Sequence, residues 1–85
     1  MSEFLNVVKN IKDFLSLDCS SSRWFAEAYV SWYRGCKTIN LQGVESLDSS
    51  NLILFCKMLQ LRRMRGWDER PLFELERYAI EYYQL

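Results

Sequence analysis

Apolar residues recur at helical spacing in four separate stretches of this chain. In the first, Phe4, Val7, Val8, Ile11, Phe14 and Leu15 fall three and four residues apart, with Asn6, Lys9, Asn10, Lys12 and Asp13 between them. That rhythm predicts an amphipathic helix over about residues 3–17, with Ser2 placed to cap it. The second stretch, about 22–34, turns Phe25, Ala28, Tyr29 and Trp32 inward, with Trp24 and Tyr33 flanking them and Gly35 closing the helix. An oxygen from the polar break at 18–22 is expected to cap its start. The last stretch, about 71–84, places Leu72, Leu75, Ala79 and Tyr82 on one face and Glu74, Glu76, Arg77 and Glu81 outward. Pro71 suits its first turn, where a missing N–H costs nothing.

The third stretch differs in kind. In NLILFCKMLQLRRMR, residues 51–65, nine of fifteen residues are apolar and neither Gly nor Pro interrupts them. A helix apolar nearly all round is ordinarily one that other elements pack against. A central helix over about 49–65 is therefore expected, with Leu59 in the core and Cys56 as a buried, unreactive thiol. Asp48 is its N-cap, and Leu47 and Leu52 have the spacing of a hydrophobic staple. Arg62, Arg63 and Arg65 would lie at its negative pole, with Gly66 closing it. Residues 37–47 read as an ordered loop pinned by Ile39, Leu41 and Val44. The expected architecture is all-α: a small single-domain protein over 1–85, with four helices.

Composition narrows the chemistry. The chain has 11 basic and 11 acidic residues and no histidine, so its formal net charge is zero. Without histidine the commonest general base and the commonest metal ligand are missing. The close carboxylates, Asp68-Glu69 and Glu74/Glu76, do not face each other on a helix. Three scattered glycines make no phosphate-cradling loop. Neither catalysis, nor a cofactor, nor a bound metal is expected. Cys19 and Cys36 sit at loop and helix ends and are the thiols expected to react before Cys56, though neither has a recognisable base. No signal pattern opens the chain and no apolar run is long enough to cross a membrane, so a cytoplasmic location with reduced thiols is expected.

Charge is nonetheless segregated: residues 48–67 carry a balance of +3 and residues 68–85 a balance of −3. The two segments are expected to be electrostatic neighbours. Aromatic residues make up 15% of the chain; bulky rings fill a small core well, and those left partly exposed can anchor an interface, since Trp and Tyr are enriched at binding hot spots. Trp24, Tyr33 and Trp67 are the candidate anchors for a partner, and Arg62, Arg63 and Arg65 the candidate charged contacts.

From Ser20 onward the chain resembles a group of short uncharacterised proteins of bacterial conjugative elements and prophages. The resemblance is carried by Ser21-Ser22-Arg23 opening a helix, the pair Trp32-Tyr33 near its end, an apolar loop, Leu47-Asp48 opening a third helix, and Leu72-Phe73 in the last. Arg34 departs from the small or polar residue that follows the aromatic pair in that group. The resemblance implies a mobile-element origin and carries no functional residues with it. Together these readings favour a protein that binds a larger host protein or complex, for instance as an inhibitor of a defence or regulatory assembly. An accessory nucleic-acid binder and a structural homo-oligomer, such as a homodimer, are the alternatives.

Overall fold

The structure is a computed structural model that describes residues 2–35 and 37–85. Four α-helices follow one another: α1 (Glu3–Leu15), α2 (Ser20–Arg34), α3 (Ser49–Met58) and α4 (Glu69–Tyr83). Two 3-10 helices, Leu41–Ser46 and Leu61–Arg63, precede and follow α3. Among the described residues there is no strand, and no helix is long and apolar enough to cross a membrane. The fold is the expected all-α one.

Capping residues start the helices much as their chemistry suggests. Ser2 Oγ accepts from the Leu5 N–H at 3.2 Å, and Asp48 Oδ1 accepts from Asn51 at 2.9 Å. Ser22 Oγ accepts from the Cys19 N–H at 2.8 Å, reaching back from the third position of α2 to its cap. Asp68 caps α4 by accepting from Arg70, which places Pro71 inside the first turn. Gly35 ends α2 in the left-handed conformation, φ 76°.

The core is built chiefly by α1, α2 and α4. Phe4, Val7, Ile11, Phe14 and Leu15 enter from α1, and Phe25, Ala26, Ala28, Tyr29 and Val30 from α2. Leu72, Leu75, Ala79 and Tyr83 enter from α4, which packs most extensively on α2. Phe25 sits between two rings, edge-on to Phe14 at 5.3 Å and to Phe55 at 5.8 Å. Two buried tyrosines then tie helices together through backbone carbonyls. The Tyr29 hydroxyl donates to Leu72 O at 2.6 Å, and the Tyr83 hydroxyl donates to Leu15 O at 2.5 Å. Tyr83, not Tyr82, is the inward residue there; Tyr82 is exposed.

The third stretch is not the centre of the molecule. α3 stops at Met58, and only Phe55 and Met58 of that helix are buried. Leu59 is 47% exposed, Leu52 is 43% exposed so that the expected staple is not closed into the core, and Cys56 lies on the surface. The reason is helical phase. Positions 55, 58 and 62 share one face of a straight α-helix, so continuing α3 would drive Arg62 into the core. Instead the chain tightens into i→i+3 bonds, Gln60 N to Lys57 O and Arg63 N to Gln60 O. Leu61 becomes fully buried in its place, and Arg62 faces outward. Gly66 has the anticipated positive φ of 79°, in the turn before α4 and not at the end of α3.

Trp24 and Gly43 organise the long connection. The Trp24 indole N–H donates to Asn40 O at 2.9 Å, and its ring lies 5.4 Å from Phe55. A Cβ built on Gly43 would come within 2.2 Å of that indole nitrogen, so only glycine lets the loop close over the ring. Ile39 and Val44 pack against the core as expected, but Leu41 points to solvent.

Candidate partner-binding surface

Tyr33, near the end of α2, is where the candidate residues converge. Its ring stacks on Tyr29, with centroids 5.9 Å apart and planes 5° from parallel. Its hydroxyl donates to Glu69 at the start of α4. Burial and that hydrogen bond push the phenol up to about 12, so it stays protonated and a donor. Burial raises the Tyr29 phenol as well. Arg62 covers the other side of this cluster. Its guanidinium lies 4.7 Å from the Trp32 ring centre and 5.2 Å from that of Tyr33. One of its Nη atoms donates to Tyr33 O at 3.5 Å. The second 3-10 helix, α2 and α4 thus meet on one aromatic platform.

The remaining candidates divide. Trp67 follows Arg65 by two residues, in the connection to α4, and is 44% exposed. Arg63 and Arg65 are exposed, and among the described residues neither forms an ion pair. Trp24 is already engaged by Asn40, Gly43 and Phe55, which leaves it as a support for the fold. The structure therefore brings Tyr33 and Arg62 together, sets Arg63, Arg65 and Trp67 close by in sequence, and separates Trp24 from them.

The expected pairing of the basic segment with the last helix does not occur among the described residues. Acidic groups of α4 pair within the helix, Arg70 with Glu74 at 3.6 Å and Arg77 with Glu81 at 3.9 Å. Glu76 was assigned outward and is instead fully buried, 0% exposed. It is clamped by Arg34 of α2, whose Nε and Nη2 each donate to one carboxylate oxygen, the latter at 2.8 Å. The signal was present in the spacing, since residues 72, 76, 79 and 83 fall on a single face at intervals of four, three and four.

Of the thiols, Cys56 departs from the expected burial. Cys56 is exposed, and Cys36 lies outside the described residues. Cys19, at the amino end of α2, has its thiol lowered to about 7, first by the Ser21 hydroxyl and then by Ser22. Among the described residues no set of three or more Cys, Asp or Glu side chains could hold a metal ion. Searches of family models, curated proteins and solved structures find nothing that matches this chain.

Proposed function

We propose that this chain is a small cytoplasmic protein of a phage or other mobile element that acts by binding a larger host protein, as an inhibitor of a defence or regulatory complex in the manner of anti-CRISPR proteins. The observation that carries the binding reading is the platform at Tyr33. Arg62 is held over Trp32 and Tyr33, so part of a contact surface is rigid before any partner arrives. Fixing side chains in advance reduces the entropy lost on association. Trp67, Arg63 and Arg65, close to Arg62 in sequence, have the residue types that dominate interface energetics.

The same site favours a protein over a polyanion. Asp68 and Glu69 directly follow Trp67, and Glu69 is bonded to Tyr33. A surface with carboxylates set among its arginines suits a partner of mixed charge, whereas a phosphate backbone would be repelled by them. The mobile-element origin rests on the resemblance of residues 20–85, and the inhibitory role on the small size, the lack of histidine, the aromatic content and the segregated charge of the chain.

The test is affinity capture from a bacterial host with the tagged chain, followed by measured affinity for the protein retained. Trp67→Ala should weaken that binding by roughly thirtyfold, the effect of losing about 2 kcal/mol at a hot spot. Arg63→Ala with Arg65→Ala should weaken it as well, while Phe73→Ala on the exposed side of α4 should not. A partner bound equally by wild type and by both site variants would refute the assignment.

A further inference from the structure

A cavity of about 480 Å³ lies between α2 and α4, lined by Val30, Arg34, Lys37, Glu76, Ile80 and Leu85. Small-molecule sites commonly have volumes of about 300–1,000 Å³. Helical phase builds this one. Val30 and Arg34 are four residues apart on α2, as are Glu76 and Ile80 on α4, so each helix contributes one stripe. The left-handed residues that end these helices, Gly35 (φ 76°) and Gln84 (φ 55°), turn the chain so that Lys37 and Leu85 complete the walls. The Leu85 N–H is tied back to Ile80 O at 3.1 Å.

The lining separates by polarity. Val30, Ile80 and Leu85 make an apolar floor, the first buried and the other two half-buried. Glu76 is fully buried and offers no surface to a ligand; its carboxylate accepts from Arg34, which fixes that guanidinium at the wall. What a ligand meets beside the floor is therefore cationic. Lys37 is held more loosely than Arg34. Its Nζ is 3.9 Å from Glu27 Oε2, longer than a hydrogen bond, although its side chain is only 32% exposed.

We propose that this cavity binds a small amphipathic monocarboxylate, an aliphatic or aromatic acid whose tail covers Val30, Ile80 and Leu85 and whose carboxylate meets Lys37 beside Arg34. A carboxylate bonded directly to an ammonium approaches to about 2.7–2.9 Å, closer than Glu27 now stands, so the ligand displaces Glu27 as the partner of Lys37. Glu27 nearby also disfavours a second negative charge, which selects a monoanion over a phosphate. The apolar floor requires the tail, since a bare anion would leave those three residues uncovered. The inference does not depend on the Tyr33 platform binding a partner.

The experiment titrates octanoate into the full chain and follows methyl resonances. Val30, Ile80 and Leu85 should shift and saturate at submillimolar ligand. Octylammonium, with the same tail and the opposite charge, should bind about tenfold more weakly or worse, the effect of losing one hydrogen bond to a charged group. Acetate, with the charge and no tail, should give no shift over the same range. Lys37→Ala should weaken octanoate about tenfold for the same reason, with an unchanged circular dichroism spectrum. Glu27→Gln should tighten it by removing the competing carboxylate. If either variant does not fold, the other variant and the octylammonium comparison decide the question. The inference would be overturned by an absence of shifts with octanoate, by shifts confined to Leu52, Ile53 and Leu59 of the exposed α3 surface, or by equal affinity for octylammonium or acetate. Octanoate affinity unchanged in a folded Lys37→Ala variant, or lowered in a folded Glu27→Gln variant, would overturn it too.

Discussion

A buried carboxylate held by one arginine makes Glu76 the most exacting residue in this protein. Removing one member of a buried ion pair leaves the other uncompensated, which typically costs about 3–5 kcal/mol. Arg34 has its outer side in water, at 48% exposure, so the lower end of that range applies. Arg34→Ala should therefore reduce stability by about 3 kcal/mol, read from the urea midpoint with an unchanged slope. Glu76→Gln keeps acceptor and shape and should lose about 1 kcal/mol, the scale of one weakened hydrogen bond. An Arg34→Ala loss no larger than that of Glu76→Gln would mean that Glu76 is not desolvated as its surroundings indicate. The position could have been recognised from spacing alone, because Glu76 shares a face with Leu72, Ala79 and Tyr83. Its charge argued the other way, and only the geometry reveals that Arg34 answers it.

At the scale of elements, hydrophobic content proved a poorer guide than phase. The run at 51–65 is the most apolar in the chain, yet four of its nine apolar residues, Leu52, Ile53, Cys56 and Leu59, are exposed. Burial follows from which residues share a face with Phe55 and Met58, and Arg62 occupies the next position on that face. The switch to 3-10 geometry resolves the conflict by turning Leu61 in. Met58→Ala should consequently cost about 2–5 kcal/mol, as large-to-small changes in a packed core do. Leu59→Ala, one residue along, should stay within about 1 kcal/mol in the same chemical denaturation series. Equal losses at the two positions would show that the helix continues past Met58 with Leu59 inside. The starts of α1 and α3 were legible because Ser2 and Asp48 carry capping oxygens, whereas α2 begins at Ser20 behind Cys19 and α4 at Glu69, each two residues before the expected start. The arrangement around Trp24 was not legible, since it depends on a loop carbonyl and a glycine nearly twenty residues away.

Across the whole molecule, no ion pair joins the basic segment to the acidic helix among the described residues, although Arg62 and Glu69 both reach Tyr33. That outcome bears on the leading alternative function. Arg62 is committed to Trp32 and Tyr33, which leaves as exposed cations Arg63 and Arg65, close to Trp67 in sequence, and Lys57 on α3. Three exposed cations and an exposed indole are the minimum from which a weak single-strand site could be assembled. Were they to serve that purpose, binding would fall steeply with salt, because each neutralised phosphate releases condensed counterions. The logarithmic slope for single strands would be about −0.7 per phosphate contact, or about −2 for three cations. Replacing Arg63 and Arg65 with alanine would bring that slope close to that of a single contact while leaving the fold untouched. The protein-binding reading instead expects no measurable affinity for single-stranded or duplex nucleic acid at physiological ionic strength, by fluorescence anisotropy at micromolar protein. The carboxylates of Asp68 and Glu69 beside the indole oppose phosphate, and the molecule as a whole supplies no net positive charge to draw it in. Sub-micromolar binding with a slope near −2, lost in the double arginine variant, would transfer the Trp67 surface from a protein partner to a nucleic acid.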